Sequence, residues 1–114
     1  MTKKEYNGWY NYETWLMNLW MDNDEGSQGY WSEIAQECYD DAEACATFTR
    51  EENAVFAFAD RLKEEKEQEN PVEGANFWAD MMNAALSEVN YHDIAEHYID
   101  EVEKEEEEVE EVED

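Results

Sequence analysis

The segment Asp22-Asn23-Asp24-Glu25-Gly26-Ser27-Gln28-Gly29-Tyr30-Trp31-Ser32-Glu33 has the first spacing in this chain that could do chemistry. It opens on Asp-x-Asp and closes on Glu, the frame of an EF-hand loop, where carboxylate oxygens surround a calcium ion. The middle departs from that frame. Gly26 stands at the fifth position, where an oxygen ligand belongs, and Ser27 takes the place of the sixth-position Gly. Gly29 falls where an apolar residue is expected. The stretch reads better as an acidic interhelical turn, with a calcium-binding helix-loop-helix protein kept as an alternative.

Other constellations carry less. His92 and His97 are five apart, which matches neither the paired histidines of a metalloprotease helix nor zinc-finger spacing, so no metal or cofactor is expected. Cys38 and Cys45, placed on one helix, would sit about 10 Å apart at roughly 1.5 Å rise per residue. A disulfide needs Cα atoms within about 7 Å, so both are read as reduced thiols. There is no Gly-rich phosphate loop and no Gly-x-Ser-x-Gly elbow. The chain is not expected to be an enzyme.

What remains is charge. Thirty-three of 114 residues are Asp or Glu against seven Lys or Arg, a net charge of −26. Residues 100–114 carry eleven acids and one base, so most of the negative charge belongs to the body at 1–99. No Lys or Arg occurs between Glu5 and Thr49. Self-repulsion on this scale opposes the compact state. Disordered acidic chains are poor in aromatics, whereas this one has five Trp, seven Tyr and four Phe, enough for a core. Duplex DNA carries one charge per about 1.7 Å of axis, so 26 charges match those of about 44 Å of duplex.

The elements that must position these carboxylates are helices. Asn11 is a suitable N-cap for a helix at about 12–22, whose Trp15, Leu16, Met17, Leu19, Trp20 and Met21 are apolar on more than one face. After a loop at 22–29, a helix at about 30–45 has Trp31, Ile34, Ala35, Cys38 and Ala42 as its buried stripe. Glu33, Glu37, Asp40 and Asp41 form a separate acidic stripe on it. Thr49-Arg50-Glu51-Glu52 fits a capping box for a helix at about 50–68, with Val55, Phe58, Ala59 and Leu62 inward. Asn70-Pro71 and Gly74 break the chain. A fourth helix at about 77–88 is expected to turn Trp78, Met81, Met82 and Ala85 inward. Asn90 and Asp93 start a fifth, striped by Tyr91, Ile94, Ala95, Tyr98 and Val102. The fold class is therefore all-α: a compact bundle of about five helices in an acidic domain at 1–99, with a glutamate-rich extension or tail at 100–114.

Asn11-Tyr12-Glu13-Thr14-Trp15, followed by Leu19-Trp20, Asp22-Asn23 and Gly26, resembles small uncharacterised proteins of phages, plasmids and archaea. So does Ala84-Ala85-Leu86-Ser87-Glu88-Val89-Asn90-Tyr91, leading into Ile94-Ala95-Glu96. That resemblance implies a mobile-element origin and brings no site residues. In size and charge the chain is similar to phage DNA mimics of the Ocr-type antirestriction family, which are acidic, helical and dimeric. It is similar in purpose to the phage uracil-DNA glycosylase inhibitors, which set carboxylates beside an apolar pocket that traps an inserted side chain.

The function expected from this reading is inhibition of a host DNA-binding enzyme by occupation of its cationic DNA site. Candidate targets are a uracil-DNA glycosylase, a restriction endonuclease or methyltransferase, and a CRISPR nuclease. The phosphate-mimicking carboxylates would be Asp22, Asp24, Glu25, Glu33, Glu37, Asp40, Asp41, Glu51, Glu52, Asp93, Glu96 and Asp100. Trp9, Met17, Met21, Met81 and Met82 are candidates for an apolar partner pocket. The expected partner is a basic DNA-binding host protein in the host cytoplasm, met by one copy or by a homodimer. Neither nucleic acid itself nor a membrane is expected, since the sign of the charge opposes both. The runner-up is an acidic chaperone or adaptor for a basic protein.

Overall fold

In the computed structural model, which describes residues 6–72 and 74–104, five helices run in the order α1 Tyr12–Asn23, α2 Glu25–Asp41, α3 Arg50–Glu69, α4 Phe77–Ser87 and α5 Tyr91–Asp100. The all-α expectation holds. No helix of the described residues is long and apolar enough to cross a membrane. The glutamate run at 105–114 lies outside the described residues.

Capping accounts for each helix start. Asn11 accepts from Thr14 N, Asp24 from Gly26 N, Asn76 from Ala79 N and Asn90 from Asp93 N. Thr49 and Glu52 complete the capping box of α3, satisfying donors that a helix start leaves unpaired. Ahead of α1, Asn7 (φ 49°) and Gly8 (φ 88°) form a tight turn closed by Tyr6 N donating to Trp9 O at 2.9 Å and Trp9 N to Tyr6 O at 2.7 Å. An Asn-Gly pair favours such a turn because both residues tolerate positive φ.

α3 is the spine of the bundle, packed on α2 and α5. Phe58 and Leu62 from α3, Trp31, Ile34 and Ala35 from α2, Ile94, Tyr98 and Ile99 from α5, and Met21 from α1 form one core. Phe58 stacks on Tyr98 with ring centroids 5.4 Å apart and meets Trp31 edge-to-face at 5.7 Å. Each such large apolar side chain, fully buried, stabilises by roughly 1.5–3 kcal/mol. That opposes the self-repulsion of the acidic shell.

The structure departs from the sequence reading in three places. Helix α2 begins five residues earlier than expected, so Glu25 to Glu33 are helical and the twelve-residue calcium-type loop contracts to Asp24. Gly26 and Gly29 suggested a loop, but the Asp24 cap starts the helix and carries it through them. α2 also ends at Asp41, so Cys45 lies beyond it, and both cysteines are free thiols. Helix α4 is rotated from its expected setting. Ala79 is its one buried residue, with Met82 and Leu86 half-buried on the same side. Trp78 (69% exposed), Met81 (55%) and Ala85 face outward instead. A helix apolar on nearly every side holds no pattern that selects an inner face.

Helix α1 buries a partly polar stripe, Thr14, Asn18 and Met21, and leaves Trp20 exposed. Thr14 Oγ1 donates to Asn11 Oδ1 at 2.6 Å and accepts from Asn90 N at 2.9 Å. Asn11 Nδ2 donates to Glu88 O at 2.7 Å. The two segments that resemble mobile-element proteins therefore meet in space and lock the start of α1 onto the α4–α5 turn.

Candidate acidic groove

Arg50, the first cation after the acid-only stretch, shapes one end of the bundle. Its Nε donates to Tyr39 O at 3.0 Å, its Nη2 to Asp40 O at 3.3 Å, and its guanidinium lies 4.1 Å from the centroid of the Tyr39 ring. These bonds satisfy carbonyls at the end of α2 and bring that end against the start of α3. Asp40 and Asp41, exposed in the last turn of α2, oppose the negative end of the helix dipole. Asp100 does the same at the end of α5. Helix formation alone would not select acids there.

A cleft of about 340 Å³ opens between the first half of α3 and α5. Val55 (7% exposed) and Ile99 (2%) form its apolar floor together with Phe56, which is 38% exposed. His92 adds a ring 5.8 Å from that of Phe56. The rim consists of four carboxylates, Glu51 and Glu52 from α3 and Glu96 and Asp100 from α5. Glu96 and Asp100 are one helical turn apart, about 6 Å along the axis, close to the axial rise of two phosphates on one DNA strand at about 3.4 Å each.

On the other side of Glu96 and Asp100 lies a second hollow, lined by Gly8, Trp9, Asp93 and His97. The two carboxylates thus stand on a ridge with an aromatic-bearing hollow on each side. His97 meets Trp9 edge-to-face at 5.4 Å. His92 Nδ1 lies 3.6 Å from Glu96 Oε2.

The chain beyond α5 is fastened to this end. The Gln36 amide pairs with the Glu103 backbone, donating to Glu103 O at 3.2 Å and accepting from Glu103 N at 3.0 Å. Lys104 Nζ lies 2.8 Å from Glu51 Oε2 and offsets part of the rim charge. On α3, Arg61 pairs with Glu65 and Lys66 with Glu69 within the helix itself.

Six of the expected carboxylates thus gather at one end: Asp40, Asp41, Glu51, Glu52, Glu96 and Asp100. Glu33 and Glu37 are exposed along α2, while Asp24 and Glu25 sit at its start, about 25 Å from Asp41 along the helix axis. Several of the twelve also hold structure together: Asp24 caps α2, Glu52 completes the capping box of α3, and Asp93 and Asp22 bond across the fold. Asp93 is 5% exposed and accepts from Tyr10 N at 3.0 Å, so it is not presented to a partner. Asp22 accepts from Tyr98 Oη at 2.6 Å and from Asn18 Nδ2 at 2.9 Å.

The five apolar candidates do not converge. Met21 is in the core and Met17 packs against it, while Met81 and Met82 lie on α4. Trp9 does join the carboxylates, in the second hollow. The groove floor of Val55, Phe56 and Ile99 was missed because Val55 read as core, while Phe56 and Ile99 fall outside the stripes read on α3 and α5. The signal for it was an aromatic residue on a helix face beside the two acids of the first turn of α3.

The chain belongs to the family of unknown function DUF7249, whose model matches residues 2–113. No curated protein and no solved structure matches it.

Proposed function

We propose that this protein is a DNA mimic that inhibits a DNA-binding enzyme by occupying its cationic site, with the α3–α5 groove as the point of engagement. The observation that carries the reading is the union, in one cleft, of an apolar floor and a carboxylate rim. Lys and Arg side chains that meet phosphates would meet Glu51, Glu52, Glu96 and Asp100. The apolar floor suits an inserted wedge side chain of the kind that DNA-kinking and base-flipping proteins push between base steps. Among the candidate targets this favours a base-flipping enzyme such as uracil-DNA glycosylase over a restriction or CRISPR nuclease, which needs charge spread along a longer groove. Charge of this density also accelerates encounter with a basic partner.

The test is inhibition of a uracil-DNA glycosylase by the full chain, with DNA as competitor and salt varied. Inhibition should weaken as salt or DNA rises. The double substitution Glu96→Gln, Asp100→Asn should raise the inhibition constant about 10-fold or more, on the order of 1–2 kcal/mol for each charged hydrogen bond removed from the rim. Phe56→Ser should weaken inhibition without changing its salt dependence. If the neutralised rim inhibits as well as the parent, the reading is wrong.

A further inference from the structure

Helix α4 presents a surface unlike the rest of the molecule. On helical geometry Ala79, Met82 and Leu86 fall on one side, toward the bundle, and Phe77, Trp78, Met81, Ala84 and Ala85 share the opposite side. Phe77 is 62% exposed, Trp78 69% and Met81 55%, and both alanines are exposed. Within the helix Asp80 is the single charged residue, on a chain of net charge −26. An apolar patch of this kind marks an interaction surface.

We infer that α4 is a homodimer interface, with the α4 helices of two copies packed antiparallel about a two-fold axis. Two observations select a second copy as the occupant. The first is shape. The bulky residues lie at the start of the helix and the small ones at its end, with Met81 between them. A two-fold axis through Met81 sets Phe77 and Trp78 of each copy over Ala84 and Ala85 of the other, large into small, as a self-complementary interface requires. The second is charge. A basic partner gains nothing from a nearly neutral helix, whereas two acidic bodies can approach each other only through a surface that carries little charge. Aromatic side chains bury roughly 150–250 Å² each, so covering Phe77, Trp78 and Met81 on both copies removes on the order of 800 Å² from water. The alanines bring this toward the lower bound of specific interfaces, about 1,200 Å². The dimer is accordingly weak and concentration-dependent, and it leaves the α3–α5 groove to its own partner.

Sedimentation equilibrium of the full chain over a wide concentration range, at low and high salt, tests this. The expected result is a monomer–dimer equilibrium that tightens as salt rises, because screening removes like-charge repulsion. That trend is opposite in sign to the salt dependence of inhibition, so the two readings fail separately. Ala85→Glu should weaken dimerisation about 100-fold by burying two unpaired carboxylates per dimer, with helical circular dichroism unchanged because Ala85 is exposed. Ala57→Glu, an equal charge change on exposed α3 surface, should leave the dimer within a few-fold of the parent. A chain that stays monomeric at every concentration and salt overturns the inference. So does a dimer that Ala85→Glu leaves intact, or an Ala85→Glu variant that loses inhibition while the parent is monomeric, which would make α4 part of the target contact.

Discussion

Thr14 Oγ1 accepts a hydrogen bond from Asn90 N at 2.9 Å, across 76 positions of sequence, while donating to Asn11 Oδ1. Thr14 is fully buried, and the bond ties the first turn of α1 to the N-cap residue of α5. Thr14→Ala strands the Asn90 N–H and should cost about 1–3 kcal/mol, the penalty of an unmet buried donor. Thr14→Ser restores the acceptor and should recover most of that loss. Urea denaturation of both variants measures the difference.

Gly29 lies inside α2, and a Cβ added there meets nothing within 4 Å. Gly29→Ala should therefore stabilise the fold by about 0.5–1 kcal/mol, through helix propensity and a less flexible unfolded chain. Thermal melts test this. A destabilised variant would mean that residues 25–33 are not the helix described.

Burial, followed by the bond to Asp22, pushes the Tyr98 hydroxyl well above its ordinary value. Burial, then Glu67, raises Tyr91. The folded chain holds these protons more tightly than the unfolded chain. Their contribution is complete below about pH 10, where unfolded tyrosine ionises, and declines as the pH rises beyond it. Stability measured on the alkaline side should fall with pH, and Tyr98→Phe should flatten that fall. An equally steep fall in Tyr98→Phe would remove Tyr98 as its source.

The two thiols should differ in reactivity. Backbone N–H groups of Phe48 and Thr47, and then Asn53, lower the Cys45 thiol, which is exposed. Burial raises the Cys38 thiol. Since the thiolate is the nucleophile, alkylation at neutral pH followed by peptide mass mapping should label Cys45 well before Cys38. Equal labelling would contradict this.

Much of the fold was legible because it rests on local rules. Asn11, Thr49 and Asn90 cap the helices they were expected to cap, and Thr49 with Glu52 forms a capping box. The stripe from Tyr91 to Tyr98 faces inward because apolar residues at helical spacing have one way to leave water. The acidic character of the surface was equally plain, since charge is a property of composition. Tertiary structure decided what depends on distant neighbours. It placed Asp93 and Asp22 in hydrogen bonds, joined Glu51 and Glu52 to Glu96 and Asp100 around Val55, Phe56 and Ile99, and turned Trp78 and Met81 outward. An exposed acid and a buried one look alike in sequence, and a helix apolar on several sides does not select its inner face. The choices among the acids were made where α3 met α5, where Tyr98 met Asp22 and where Tyr10 met Asp93.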